Sequence, residues 1–307
     1  MTTPGPAAAP ATPAAPVGHD LRLAGAPISW GVCEVPGWGP MLPVDTVLGE
    51  MAGLGLTATE LGPPGYLPDD PSALKGVLEG HGLTLVGSFA ALVLHDADRT
   101  VESLARAERT AELIAAAGGE VLVLAAATGL DGYDTRPELS DSQWRLLIDT
   151  AEEVARIARR YGLRATLHPH VGTHVETSAE VERFLRDSEL PLCLDTGHLL
   201  IGGTDPLDLV RRRPERIGHV HLKDVHAATA ALVRSGALTY ADAVGQGLYR
   251  ALGEGDVPVA EIVATLRAAG YRQWYVLEQD TRLTDDPVDA DLPRHDTARS
   301  LAHLRGN

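Results

Sequence analysis

Residues 217–225 read Ile-Gly-His-Val-His-Leu-Lys-Asp-Val, a run that crowds two histidines, a lysine and an aspartate together. The pattern predicts a short strand running into a loop. Successive side chains of a strand face opposite ways, so His219, His221 and Lys223 share one side. Three basic polar groups in a row make a poor core and a good site lining. Other apolar runs end in groups of the same kind: Glu60 in Ala-Thr-Glu-Leu-Gly, His168-Pro169-His170 with Glu176 beyond it, Asp195-Thr-Gly-His198, and Glu278-Gln-Asp280. Mixed His, Asp and Glu donors suit a divalent first-row ion. With no cysteine among them, a catalytic ion with room for substrate fits better than a structural zinc.

The acid–base candidates near such an ion are His198, Lys223, Glu176 and Glu60. A lysine beside a bound cation is expected to have its pKa lowered into a useful range. A purely structural role competes in two cases: Lys223 as the ion-pair partner of Asp224 or Asp280, and Glu176 as a cap for a helix starting near Ser178. Trp30-Gly31 and Pro36-Gly-Trp38-Gly-Pro40 follow the first strand and form either one wall of a pocket or a tight turn. Gly253-Glu-Gly-Asp256 lacks a phosphate-loop pattern and reads as an acidic rim loop with Asp256 capping a helix.

These groups need a scaffold that gathers strand ends. Candidate strands fall at 22–29, 57–61, 83–88, 120–125, 164–168, 191–195, 217–222 and 274–278, with helical patterns at 43–54, 71–80, 98–117, 140–161, 178–187, 205–212 and 258–269. Asp141, Ser178 and Asp205 read as N-caps, and Gly118 and Gly162 as the residues just past a helix end. Such alternation implies parallel strands and right-handed crossovers. Eight units over residues 21–307 predict one α/β domain, a (β/α)8 TIM barrel, with an open doubly wound sheet as the alternative. Active sites of such barrels sit at the C-terminal strand ends. There the polar groups gather at strands five to eight with Glu60 opposite, while strands three and four end blandly in Phe-Ala-Ala-Leu and Ala-Ala-Thr-Gly.

Of the 307 residues 44% are apolar, and the formal charge is −16. Nucleic acid and anionic membrane surfaces need a basic footprint, so both are disfavoured as partners. Residues 1–20 are rich in Ala and Pro, lack a basic n-region, and are expected to form a disordered tail rather than a signal. No stretch approaches the roughly 18 unbroken apolar residues of a membrane span. Cys33 and Cys193 lie far apart without a CxxC pattern, which suggests reduced thiols and a cytoplasmic location.

Taken together, Ala-Pro-Ile-Ser-Trp-Gly (26–31), Leu-His-Pro-His-Val-Gly-Thr (167–173), Asp-Thr-Gly-His (195–198), His-Val-His-Leu-Lys-Asp-Val (219–225), Gly-Glu-Gly-Asp-Val (253–257) and Glu-Gln-Asp (278–280) resemble the xylose-isomerase-like barrel superfamily of sugar isomerases, epimerases and dehydratases. Within it the chain is most similar to the inosose dehydratases of myo-inositol catabolism. The resemblance implies one divalent metal per subunit, Mn²⁺ or Co²⁺ with Zn²⁺, Mg²⁺ or Fe²⁺ as alternatives. Its implied ligands are His168, Asp195, His221 and Glu278. His170 is the alternative on the fifth strand and otherwise, with Trp30, Trp38 and Asp280, a candidate substrate contact. His219 falls back to a supporting or packing role. Pro169 departs from the triple histidine of the dehydratases, and Glu176 stands where they often carry glutamine. The implied substrate is a ketocyclitol such as scyllo-inosose, and the implied assembly a homodimer or homotetramer. Polarising a ketone acidifies the neighbouring C–H. After proton removal, loss of a β-hydroxyl is dehydration, and reprotonation is isomerisation or epimerisation of a ketose or cyclitol. A sugar-binding barrel without turnover is the reading from another class. Phosphodiester cleavage, which related barrels perform with a basic groove, conflicts with the acidic charge.

Overall fold

Parallel strands dominate because the apolar runs are separated by helices long enough to cross over. A computed structural model describes residues 21–306; the expected tail over 1–20 lies outside the described residues. The strands are β1 (Leu23–Gly25), β2 (Ala58–Thr59), β3 (Thr84–Leu85), β4 (Gly87–Leu92), β5 (Val121–Ala126), β6 (Arg164–Leu167), β7 (Leu192–Asp195), β8 (Ile217–Leu222), β9 (Asp224–Val225), β10 (Tyr249–Arg250) and β11 (Tyr275–Leu277). The large sheet runs β3-β2-β1-β11-β8-β7-β6-β5-β4 and is parallel throughout. Its two ends are the halves of a single stave: β3 pairs with β2, and β4, one residue later, pairs with β5. The ring therefore closes into an eight-stave TIM barrel.

The helices are α1 (Val44–Gly53), α2 (Pro71–Gly80), α3 (Thr100–Ala116), α4 (Asp141–Arg160), α5 (Ser178–Asp187), α6 (Thr196–Ile201), α7 (Pro206–Arg212), α8 (Ala227–Arg234), α9 (Tyr240–Gly245), α10 (Val259–Ala268) and α11 (Leu292–Arg305). In α4 the buried Trp144, Leu147, Ile148, Ala151, Val154, Ala155 and Ala158 recur at helical spacing and face the strands. Asp205 caps α7 as expected. The other two caps shift by one residue. Ser140 caps α4 and Thr177 caps α5, because each closes a reciprocal box with the side chain three residues on, Gln143 and Glu180. Gly118 and Gly162 take the left-handed conformation past α3 and α4, with φ of 87° and 75°.

Small buried side chains, Ala24, Ala26, Ala58, Val86, Val121, Val123, Cys193 and Val276, fill the inside of the ring. A much larger aliphatic cluster lies between staves and helices. Along the staves, register aligns Val276 with His221 and His221 with Asp195, so those residues face inward at one level. Helices α6, α8, α9 and α11 and the antiparallel pair β9–β10 lie outside the alternation legible in the sequence. Among the described residues no helix is long and apolar enough to cross a membrane, and both cysteines are free and buried.

Candidate active site

Strand alternation turns His168, Asp195, His221 and Glu278 toward the barrel axis at the C-terminal ends of β6, β7, β8 and β11. One ligand-type atom from each lies within 4.8 Å of the others. His168 Nε2 is 3.3 Å from Asp195 Oδ2, and His221 Nδ1 is 3.7 Å from the same oxygen and 3.1 Å from Glu278 Oε2. The donor set suits a divalent cation on the orientation of its rings. His168 Nδ1 lies 2.8 Å from the Pro169 carbonyl, which fixes the proton there and leaves Nε2 with its lone pair. His221 Nε2 lies 3.1 Å from Glu60, which leaves Nδ1 facing the centre. Asp195 Oδ1 accepts the His198 N–H at 2.8 Å, beginning α6, and Oδ2 faces the cluster. Asp195 Oδ2 and His221 Nδ1 are buried polar atoms without hydrogen bonds, which a cation would satisfy. A site of this kind fits the residues present.

Glu60, expected among the acid–base groups, lies on the far side of His221. It accepts from His219 Nε2 at 2.8 Å as well as from His221. Burial alone would raise its pKa, but the two histidines outweigh burial and hold the carboxyl well below its usual range. In this place it holds both rings by hydrogen bonds. Cys193 also faces inward near His221, and burial pushes its thiol up to about 11.

Above this ring sits a second cluster of His170, His198 and Asp280. The His170 and His198 rings lie 3.7 Å apart, centroid to centroid, tilted by 33°. Burial, together with the neighbouring Lys223 and histidines, pushes His170 down to about 3 and His198 well below its usual range, so both are neutral at physiological pH. Lys223 Nζ reaches Asp280 Oδ1 at 2.6 Å, Glu278 Oε2 at 3.1 Å, Asp195 Oδ2 at 3.4 Å and His198 Nε2 at 3.1 Å. The expected lowering of the lysine pKa is the effect of a bound cation. Among the chain's own groups burial acts the same way, but three carboxylates outweigh it and hold Lys223 well above its ordinary value. Its place depends on Gly197 of the Asp-Thr-Gly-His motif, where a Cβ would come within 2.7 Å of Lys223 Cβ.

Two further expectations are corrected by position. Trp30 is fully buried and donates its indole N–H to Glu50 on α1 at 2.7 Å, so it packs the core instead of walling a pocket. Glu176 pairs with Arg136 at 3.1 Å and accepts the Gly172 N–H at 2.7 Å, which commits it to loop anchoring. Trp38 does stand over the mouth, its indole N–H donated to the Thr281 carbonyl and its ring 6.0 Å from Tyr133 and 6.3 Å from Tyr240.

Sequence reasoning passed over Tyr133, Arg136, Tyr240 and Tyr249. Tyr240 donates to Asp280 Oδ2 at 2.5 Å and lies 2.8 Å from the Tyr249 hydroxyl, extending the network behind Lys223. The available signal was loop length: residues 226–257 separate the seventh stave from α10, far more than a connector needs. Asp224 and the Gly-Glu-Gly-Asp motif belong to the same frame. The Asp224 carboxylate accepts the N–H groups of Val225, Gly253, Gly255 and Val257, and Asp256 accepts the Ala227 N–H. Asp256 is thus a cap, but for α8 and not for α10.

Residues 48–306 match a family model described as xylose isomerase-like TIM barrel. The chain is 33% identical over 299 residues to the inosose dehydratase of Geobacillus kaustophilus (strain HTA426), covering 93% of this chain and 96% of that protein. It is 34% identical over 297 residues to the rhizopine catabolism protein MocC of Rhizobium meliloti, covering 92% and 89%. Among solved structures, 3-keto-D-glucoside 4-epimerase from E. coli superposes with a TM-score of 0.65 at 19% identity, over 94% of this chain and 100% of that one. The probable 3-DHS dehydratase AsbF from Bacillus anthracis superposes with a TM-score of 0.67 at 16% identity, over 91% and 98%. These two likenesses show a shared fold. The protein is an enzyme of the lyase or isomerase/epimerase kind. It belongs to the xylose isomerase-like TIM barrel family.

Proposed function

We propose that this sugar-modifying enzyme is a metal-dependent dehydratase of a ketocyclitol such as scyllo-inosose. The observation that carries the reading is the convergence of His168, Asp195, His221 and Glu278, with two unsatisfied buried atoms at its centre, directly beneath a pair of neutral stacked imidazoles. The similarity to proteins named inosose dehydratase supports the substrate. A divalent ion held by the four residues, Mn²⁺ or Co²⁺, supplies Lewis acidity that polarises a ketone and acidifies the C–H beside it.

The chain's own groups divide the proton work. His170 Nδ1 lies 2.7 Å from the Val171 carbonyl, so Nε2 carries the lone pair, and the residue is only half-buried at the mouth. His170 accepts the α-proton, made acidic by the adjacent polarised ketone, and the His198 ring packs 3.7 Å from it. Lys223, paired with Asp280 at 2.6 Å, donates to the departing β-hydroxyl. The electrons of the broken C–H bond form the new double bond, and the C–O bond breaks as the hydroxyl leaves as water. Asp280 and Tyr240 hold Lys223 in line.

The test is incubation of purified protein with Mn²⁺ or Co²⁺ and scyllo-inosose, followed in the ultraviolet for the conjugated 2-hydroxy enone, the enol form of a 1,2-dione. A rise in absorbance is expected, and none across a ketocyclitol panel overturns the reading. The presence of two adjacent proton-carrying imidazoles favours one second reading, an isomerase or 3-epimerase on a ketose or cyclitol. Solvent deuterium entering the substrate without loss of water would select it.

A further inference from the structure

The staves that end blandly, β4 and β5, contribute nothing to the metal ring or the imidazole pair. Register shows what they leave behind. Phe89 pairs with Val123 and Val123 with Thr166, so the three point the same way. Val123 belongs to the small-residue cluster inside the ring, and Thr166 stands two residues before His168. Phe89 therefore points inward, yet it is 36% exposed, whereas Val123 beside it is 0% exposed. An inward-facing residue is exposed only where the ring opens into a cavity.

The Phe89 ring lies 5.7 Å from His168, edge-on at 80°, and 5.7 Å from His170 at 41°. Two residues along, the inward positions are Ala91 and Ala125, register partners that offer only methyl groups. Four staves fill the mouth with imidazoles and carboxylates, and these two keep a space open whose floor is an aromatic ring. Tyr133, nearly parallel to His170 at 5.9 Å and 28°, continues the aromatic surface above.

We infer that this space is the subsite for the substrate's ring and that Phe89 determines its specificity. The C–H face of a cyclic polyol lies on Phe89, and its ketone and hydroxyl edge turns toward His168 and Glu278. An aromatic face is negative and attracts polarised C–H groups. A cyclitol presents a rigid C–H face, which an open-chain ketose lacks until its chain is ordered. The inference rests on the ketocyclitol reading and sharpens it: the ring is selected by apolar contact with the staves that carry no proposed ligand.

Three variants test it, Phe89→Ala, Phe89→Leu and Ala91→Leu, with metal content and melting as controls for folding. Scyllo-inosose kinetics and calorimetric binding of myo-inositol are the readouts. Phe89→Ala is expected to raise KM roughly ten-fold or more while kcat changes far less. Phe89→Leu, which keeps bulk without a π face, should fall between. Ala91→Leu fills the space and should abolish cyclitol binding with metal content unchanged. Unchanged KM in Phe89→Ala with unchanged binding in Ala91→Leu overturns the subsite and leaves the dehydratase reading standing. Cyclitol binding that depends on Phe89 and Ala91 without dehydration supports the subsite and overturns the reading. A wild type that binds no cyclitol overturns both.

Discussion

Glu60 holds His221 by the nitrogen that faces away from the proposed metal: Glu60 Oε1 lies 3.1 Å from His221 Nε2, while Nδ1 points to Asp195 and Glu278 without a hydrogen bond. A carboxylate behind a ligating imidazole fixes its tautomer and strengthens its lone pair, and losing such a partner typically costs about 10–100-fold in metal affinity. Glu60→Gln is therefore expected to weaken Mn²⁺ or Co²⁺ binding by that range in calorimetry, and excess metal should restore most of the activity. A kcat that stays low at saturating metal would mean instead that Glu60 handles a proton.

Asp195 serves two masters with two oxygens. Oδ1 starts α6 through the His198 N–H, and Oδ2 faces the cluster. Asp195→Asn preserves the cap and replaces the other oxygen with an N–H₂ donor that cannot bind a cation. The expected variant is folded and lacks bound metal. Asp195→Ala should lose the metal and about 1 kcal/mol more stability, because the cap goes too. Metal analysis and melting curves separate the two, and wild-type metal content in Asp195→Asn would remove Asp195 from the ligand set.

How much of this was readable beforehand follows from periodicity. All eight staves and seven of the crossover helices were legible, since apolar runs and helical spacing are local signals. The inward row was legible too, because alternation in 217–222 places His219 and His221 on one face. Tyr240 and Tyr249 were not, because they ride on α9 and β10, short elements within a long excursion that has neither period. Glu60 and Glu176 were visible as carboxylates at strand ends, but their partners, His221 and Arg136, lie far away in sequence. Phe89 was legible only as part of a bland strand end, and its exposure inside the ring distinguishes it.

Glu176 and Glu180 share Arg136 yet respond oppositely to pH. For Glu180, burial acts upward, but Arg136 and the N–H groups of Thr177 and Glu176 outweigh it and lower its pKa. A carboxyl lowered in the folded state stabilises it above the unfolded value of about 4.3 and loses that contribution as pH falls through its folded pKa. For Glu176 burial wins over Arg136 and raises the pKa, so its ionisation opposes folding near neutrality. Glu180→Gln is expected to cost about 2 kcal/mol at pH 7, with the gap to wild type closing below about pH 4. Glu176→Gln, which can still accept the Gly172 N–H, should be neutral or slightly stabilising at pH 7. Urea unfolding at several pH values measures both, and an equal, pH-independent loss in the two variants would refute the assignment.

The rim of the site hangs on Asp224. Its fully buried carboxylate accepts four backbone N–H groups, two on each oxygen: Val225 and Val257 on Oδ1, Gly253 and Gly255 on Oδ2. Asp224→Asn keeps one acceptor and turns an N–H₂ group toward two N–H donors, leaving them unsatisfied and opposed. At about 1–3 kcal/mol for each of the two buried donors without a partner, the loss should reach about 2–6 kcal/mol. The damage should also be local before it is global. Asp256, on the same loop, accepts the first N–H of α8, so releasing 253–257 loosens α8 and then Tyr240 behind Asp280. Hydrogen exchange of Asp224→Asn is expected to lose protection at 225–234 and 252–257 while β5 and β6 stay protected. A variant that melts at the wild-type temperature with unchanged exchange would show that the loop is held by something other than this carboxylate.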